Sequence, residues 1–319
     1  MTQPVLIVKD LKVYYWTERG PVRAVDGVNF VLNKGETLGI AGESGCGKST
    51  LAMSLLSLIE PPGSIENGQI ILNGLDILRL EEEEMRKIRW SEISLVPQGA
   101  MNSLNPVMKN KDQIIDAIVA HENSQSKRKL TKRVEELLDL VDLSRRVCDM
   151  YPHELSGGMK QRVCIAMAIA LNPKVIVADE LTSALDVVVQ RAVLQTLRKI
   201  QTRLKASLIF ITHDMNLQAV AADRVVVMYA GKIVEIGSTH ELYENPLHPY
   251  TQLLISSIPS IKVKRELKRA TGLPPSLLSL PKGCVFHPRC PYAKDVCRSE
   301  VPKLHEIKSG RFVACHLYK

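Results

Sequence analysis

Nine consecutive residues, Gly42-Glu43-Ser44-Gly45-Cys46-Gly47-Lys48-Ser49-Thr50, carry the densest chemistry in the chain. They fit the pattern G-x-x-x-x-G-K-[ST], follow the apolar run Leu38-Gly39-Ile40-Ala41 and open a helical pattern with Leu51, Leu55, Leu58 and Ile59. Glycines let successive backbone N–H groups turn inward as an anion-binding nest, and the helix behind aims its positive end at the same point. Lys48 then reaches the outer phosphates of a polyphosphate, and the Ser49 hydroxyl ligates Mg²⁺. A nucleoside triphosphate is the implied ligand. A glycine-rich turn that binds nothing is the plain alternative.

Three more candidates sit where buried strands should end. Val175-Ile176-Val177-Ala178 runs into Asp179-Glu180, at the strand edge where open α/β folds bind ligands. One carboxylate can hold Mg²⁺ and the other can orient and polarise a water, although two solvated acids opening a loop would look the same. Gln98 follows Ile93-Ser94-Leu95-Val96, and His213 follows Leu208-Ile209-Phe210-Ile211. Gln98 by itself reads as a polar cap, and His213 as either a satisfied structural histidine or, at a strand end, a γ-phosphate contact. Ser156-Gly157-Gly158 opens another helix with Gln161 in its first turns, a second anion-binding terminus or an ordinary capped helix.

The elements that must position these residues alternate strands with helices. Val5–Val8, Val13–Trp16 and Val25–Leu32 read as an antiparallel β layer before the glycine-rich loop. Its aromatics either pack in a core or stack on a purine, and Tyr15 is the platform candidate. Residues 99–150 are mainly helical, an insertion in an α/β domain, and Val225–Met228 with Lys232–Ile236 reads as a closing hairpin. Past about Ser238 frequent prolines predict a small appended unit with little regular structure. The 319 residues carry 45% hydrophobic and 24% charged residues, ordinary for a globular protein. No run approaches the ~20 apolar residues of a membrane span, and the first residues lack a signal-peptide pattern, so a cytosolic chain is expected. The net charge of +8 comes without a basic stripe interleaved with aromatics, so nucleic acid is not an expected partner. The basic run Lys262–Arg269 reads as a solvated linker.

The glycine-rich loop, Gln98, Leu155-Ser156-Gly157-Gly158-Met159-Lys160-Gln161, Asp179-Glu180, Ser183-Ala184-Leu185-Asp186 and His213 occur in the order and rough spacing of an ATP-binding cassette (ABC) ATPase. The resemblance covers about residues 5–240. Asn245-Pro246-Leu247-His248-Pro249-Tyr250-Thr251 and Gly283-Cys284-Val285-Phe286-His287-Pro288-Arg289-Cys290-Pro291 further resemble the oligopeptide/dipeptide/nickel importer subfamily, in its D-type subunit. That implies an α/β P-loop cassette over 1–240, with a mixed core sheet, an antiparallel β subdomain and a helical subdomain at about 99–160. A small Cys-rich extension follows over 241–319.

The resemblance also implies a mechanism. Two cassettes close head to tail on two ATP, bound through Tyr15, Gly42 to Thr50, Gln98, Asp179, Glu180 and His213. Glu180 is the implied general base, His213 the γ-phosphate contact, and Ser49, Gln98 and Asp179 the Mg²⁺ ligands. Ser156, Gly157, Gly158 and Gln161 serve the partner's site. The implied partners are an F-type ATPase subunit, two membrane permease subunits and, indirectly, an extracytoplasmic solute-binding protein. The implied location is the cytoplasmic face of the cell membrane. Peptides are the default cargo, with oligosaccharide or a nickel or other metal chelate as alternatives. The rivals are soluble cassette ATPases of ribosome recycling, which carry two cassettes and N-terminal cysteines, and DNA-structure ATPases, which need a long coiled-coil insertion.

Three positions depart from the family pattern: Leu181 where proline is usual, Gly99-Ala100 where an acid and proline are usual, and Cys46 for the commoner serine. Four of the seven cysteines, Cys284, Cys290, Cys297 and Cys315, crowd the tail. Their spacing is not the C-x2-C of zinc ribbons, while four thiolates satisfy the Cys₄ requirement of an iron–sulfur cluster. The resemblance points to [4Fe–4S], with zinc and plain reduced thiols as alternatives.

Overall fold

The computed structural model describes residues 3–122, 126–181, 186–258 and 272–318. In chain order its strands are β1 (Pro4–Thr17), β2 (Gly20–Asn33), β3 (Thr37–Ala41), β4 (Gly63–Leu72), β5 (Leu75–Asp76), β6 (Ile93–Val96), β7 (Val175–Asp179), β8 (Ser207–Ile211), β9 (Arg224–Tyr229), β10 (Lys232–Ser238), β11 (His305–Lys308) and β12 (Arg311–Val313). Its helices are α1 (Lys48–Ser54), α2 (Glu82–Ile88), α3 (Asn110–Val119), α4 (Lys127–Leu140), α5 (Gly157–Ala168), α6 (Val187–Leu204), α7 (Met215–Ala221), α8 (Thr239–Glu244), α9 (Pro249–Ser256) and α10 (Val296–Ser299). Ser183-Ala184-Leu185 and the basic run Lys262–Arg269 lie outside the described residues.

The chain divides into two compact units, one comprising Leu6–Leu32, Thr37–Leu78 and Phe210–Lys319. This unit holds the glycine-rich loop. Its antiparallel sheet runs β2-β1-β4-β5. The two short strands expected at Val5–Val8 and Val13–Trp16 are a single β1, because the polar break between them is a bulge. Asp10 turns to φ 41 and the register against β4 shifts between Lys9 and Lys12. A bulge adds a residue to one strand without ending the pairing.

A second run of strands in this unit is ordered β11-β12-β10-β9-β3. β3 and β9 pair in parallel, from Leu38↔Arg224 to Ala41↔Val227. β9 turns through Ala230-Gly231 into antiparallel β10, as the sequence predicts. The tail is more regular than its prolines suggest. β12 pairs antiparallel with β10 (Glu235↔Val313, Ile236↔Phe312) and carries β11 on its far edge. Beneath the strands, Tyr229, Tyr250 and Phe286 form a buried aromatic cluster with ring centroids 4.6–5.4 Å apart. Prolines leave regular structure possible wherever no donor is needed, and Pro249 opens α9 at a position where its missing N–H costs nothing.

The other unit comprises Met1–Val5, Asn33–Glu36 and Arg79–Ile209. β6 and β7 pair in parallel, Ile93↔Val175 through Val96↔Ala178, and β7 is fully buried, as a continuous apolar run should be. Within residues 99–150, read as mainly helical, lie α3 and α4, and α5 follows after Ser156. α4 buries Leu130, Val134, Leu137 and Leu138, the apolar face read from their spacing. Arg133 fastens it, giving both Glu122 carboxylate oxygens hydrogen bonds of 2.7–2.8 Å.

Candidate functional site

β3 delivers the chain into the loop Gly42–Gly47, and α1 starts at Lys48. Gly47 sits at φ 106, and a Cβ there would stand 1.9 Å from the Ala24 carbonyl oxygen, so only glycine fits. Lys48 is buried, and its Nζ donates to the carbonyls of Gly42 (2.8 Å) and Glu43 (3.0 Å). The ammonium is thereby folded back over the loop. Ser44 and Gly45 are exposed at its tip, while Ser49 and Thr50 are half-buried on the first turn. Cys46 is buried, and burial pushes its thiol up despite the nearby Lys48. It fills space as a small side chain, without the thiolate character that oxidation requires.

Tyr15 is half-buried on β1, against β4, where a Cβ on Gly63 would meet its ring at 2.7 Å. Its neighbour Trp16 faces the opposite way and is 51% exposed, with its indole N–H donating to Ser64 and Glu66. His213 follows β8 and is exposed, between buried Thr212 and Asp214, whose carboxylate caps α7.

In the other unit, the β6–β7 register sets the acidic end. Val96 lies opposite Ala178, so two residues on Gln98 comes beside Glu180. Gln98 Nε2 donates to Glu180 Oε2 at 2.9 Å. Asp179 is buried at the last position of β7, whereas Glu180 lifts off the strand at φ 47. A left-handed glutamate is costly and clusters at functional sites. Leu181 behind it is buried and anchors the turn. Gly99, at φ 69, opens the short turn Ala100–Asn102, which a Cβ-bearing acid would resist. The buried Cys164 of α5 donates its S–H to the Ala100 carbonyl at 3.1 Å. Sequence reasoning missed this tie between the Gln98 loop and α5.

Ser156 caps α5, its Oγ accepting from Met159 N–H at 3.4 Å, and Ser156 and Gly157 are exposed. Gly158 is dictated by packing as well: a Cβ would lie 2.7 Å from Val189 of α6. Gln161 stands apart from these three, 3% exposed.

A family model described as ABC transporter matches residues 25–183, and one described as the C-terminal region of oligopeptide/dipeptide transporters matches residues 234–297. The dipeptide transport ATP-binding protein DppD of Caldanaerobacter subterraneus is 44% identical over 99% of this chain and 97% of that protein. The chain belongs to the ABC transporter ATPases. The oligopeptide transport ATP-binding protein AppF of Bacillus subtilis is also 44% identical, over 99% of this chain and 98% of its own length. OppD of Escherichia coli is 43% identical, over 98% of this chain and 92% of its own. Among solved structures, a dimeric post-hydrolysis state of the ATP-binding cassette MJ0796 bound to ADP and phosphate superposes with a TM-score of 0.66 at 28% identity, covering 73% of this chain and 98% of that one. As an ABC ATPase the protein hydrolyses ATP, and the fold is that of the cassette. Among the described residues, no helix is long and apolar enough to cross a membrane.

The tail of the cassette carries four cysteines. Cys284, Cys297 and Cys315 are buried, Cys290 is partly so, and all are free thiols. Burial pushes Cys284 up to about 11, and the thiols of Cys297, Cys315 and Cys290 raise it further. Yet among the described residues no three His, Cys, Asp or Glu side chains converge on a metal ion. The expected zinc or iron staple is therefore unsupported. Apolar packing around Val285 and Phe286 and a hydrogen bond from the Cys284 N–H to the Cys297 carbonyl at 2.9 Å order this segment.

Proposed function

We propose that this ABC ATPase powers import of oligopeptides or dipeptides through a membrane permease, with Glu180 as the general base. The observation that carries the chemistry is the Glu180 carboxylate, raised off the end of β7 and held at 2.9 Å by Gln98. A carboxylate so held can orient and polarise a water toward a γ-phosphate. The glycine-rich loop and Lys48 bind the β- and γ-phosphates, His213 contacts the γ-phosphate, and Tyr15 takes the purine. Ser156, Gly157, Gly158 and Gln161 are assigned to the nucleotide of the partner cassette. The Ser49 hydroxyl, the Gln98 carbonyl and the Asp179 carboxylate are oxygen donors of the kind Mg²⁺ prefers, and Gln98 uses only its NH₂ on Glu180. Mg²⁺ would neutralise phosphate charge there.

Peptide cargo rests on the tail's match to the oligopeptide/dipeptide C-terminal region and on relatives with such names. A groove of about 630 Å³ supports the permease partner: it is lined by basic Arg86 and Arg89, acidic Glu83 and Glu122, and aromatic Trp90 and His121, a mixed polar and aromatic surface suited to a docked helix. Relatives with D-type and with F-type names are both 44% identical to the chain, and a D-type subunit with an F-type partner is the finer proposal. A [4Fe–4S] cluster on Cys284, Cys290, Cys297 and Cys315 is likewise a proposal, resting on the four thiols that such a cluster requires.

Glu180→Gln tests the reading. Phosphate release should fall about 10²–10⁴-fold while ATP binding persists and ATP-dependent dimers accumulate on size exclusion. Retained hydrolysis would remove Glu180 from the role of base. Anaerobic purification with iron, sulfide and zinc analysis decides the tail: about four irons per chain support the cluster, and no metal refutes it.

A further inference from the structure

Glu43 is the one acid among residues 42–50, and every polar group it owns is engaged. Its carbonyl accepts from Lys48 Nζ at 3.0 Å. Its carboxylate takes a two-pronged pair from Arg289, Nη1 to Oε2 at 2.8 Å and Nη2 to Oε1 at 3.0 Å. Its N–H donates to the Tyr250 hydroxyl oxygen at 2.8 Å. The two tail residues are themselves fixed. Tyr250 is 1% exposed in the aromatic cluster, and Arg289 also donates to the Tyr229 hydroxyl at 3.2 Å, with its guanidinium carbon 5.6 Å from the Tyr229 ring centroid. A planar guanidinium fork matched to a carboxylate sets orientation as well as distance, which a lysine cannot do.

We propose that Arg289 and Tyr250 are positioning residues for the ATP site. They lock Glu43 from the tail, so that the loop keeps its amides turned inward and Lys48 stays aimed at the phosphates. The proposal rests on the reading of Gly42–Thr50 as the nucleotide loop. The Glu43 side chain of the pair is 30% exposed, so it can be hydrated when Arg289 is removed, and the loop is loosened without unfolding the core. Tail and loop thus form one nucleotide-holding device, although Arg289 touches no phosphate.

The test uses the full-length protein, a fluorescent ATP analogue and steady-state kinetics. Arg289→Met should raise the dissociation constant and KM about tenfold, with kcat at saturation within about twofold, the signature of lost positioning in binding. Arg289→Lys should recover only part of the loss. Glu43→Gln should match Arg289→Met, and the double variant should be no worse than either, because the pair acts as a unit. Unchanged nucleotide affinity in Arg289→Met, even with a lower Tm, or losses that multiply in the double variant, would overturn the proposal. If Arg289→Met does not fold, Tyr250→Phe decides: about threefold or greater weakening supports the lock and unchanged affinity refutes it. A wild-type protein that fails to bind the analogue would instead sink the reading of the loop.

Discussion

Gly47 leaves no room for even one methyl group. The atom it would strike is a backbone carbonyl and its φ lies in the left-handed region, so neither obstacle can move aside cheaply. Gly47→Ala should cost about 2–4 kcal/mol in urea unfolding and abolish binding of the fluorescent nucleotide, because the loop must distort to accept the side chain. At this scale the sequence is most readable where chemistry fixes local spacing. Lys48, Glu180 and Gln98 announce themselves through the strand ends they follow. The readable part stops where a role depends on a distant partner. Arg289 stands in the sequence only as part of the tail motif Gly283–Pro291, since the carboxylate it grips lies 246 residues earlier. Burial is equally illegible: Gln161 shares the first turns of α5 with the exposed Ser156 and Gly157 but is itself buried.

α9 begins at Pro249 with His248 as its cap, an uncommon choice that works because the imidazole is neutral. Its Nδ1 accepts from the Tyr250 backbone N–H at 3.0 Å, and the His248 backbone N–H donates to the buried Glu235 carboxylate at 2.8 Å. Complete burial drives the His248 pKa down to about 3. A histidine held neutral in the fold but free to charge when unfolded gives stability that is full above the unfolded value of about 6.5 and is lost as pH falls toward the folded value. Between pH 7.5 and 5 the loss should be about 2 kcal/mol, read as a falling urea midpoint. His248→Asn keeps a capping acceptor and should flatten that dependence. Most elements were legible from periodicity: β6, β7, the β9–β10 hairpin and the apolar face of α4 stand where apolar patterning put them. The misses were a bulge mistaken for a break in β1 and a tail judged by its prolines, whose strands owe their place to pairing with β10 rather than to local propensity.

At the scale of the whole molecule, residues after 300 complete a sheet begun by residues before 41. Arg311 and Glu235, with side chains 6% and 0% exposed, pair at 3.1 Å where β12 meets β10. Arg311→Met leaves a buried carboxylate without its cation and should cost about 3–5 kcal/mol, whereas the Arg311→Met/Glu235→Gln double variant should recover much of that in chemical denaturation. The long reach of the tail also bears on synthesis. Domains tend to fold from the N-terminus as they emerge from the ribosome. Here the glycine-rich loop is made early, yet Tyr250 and Arg289 follow it by 207 and 246 residues, and the β12 edge comes later still. A nascent cassette therefore passes through a long interval in which its phosphate loop exists without its fastener. A chain halted in that interval has the motif that identifies it but not the grip that motif implies.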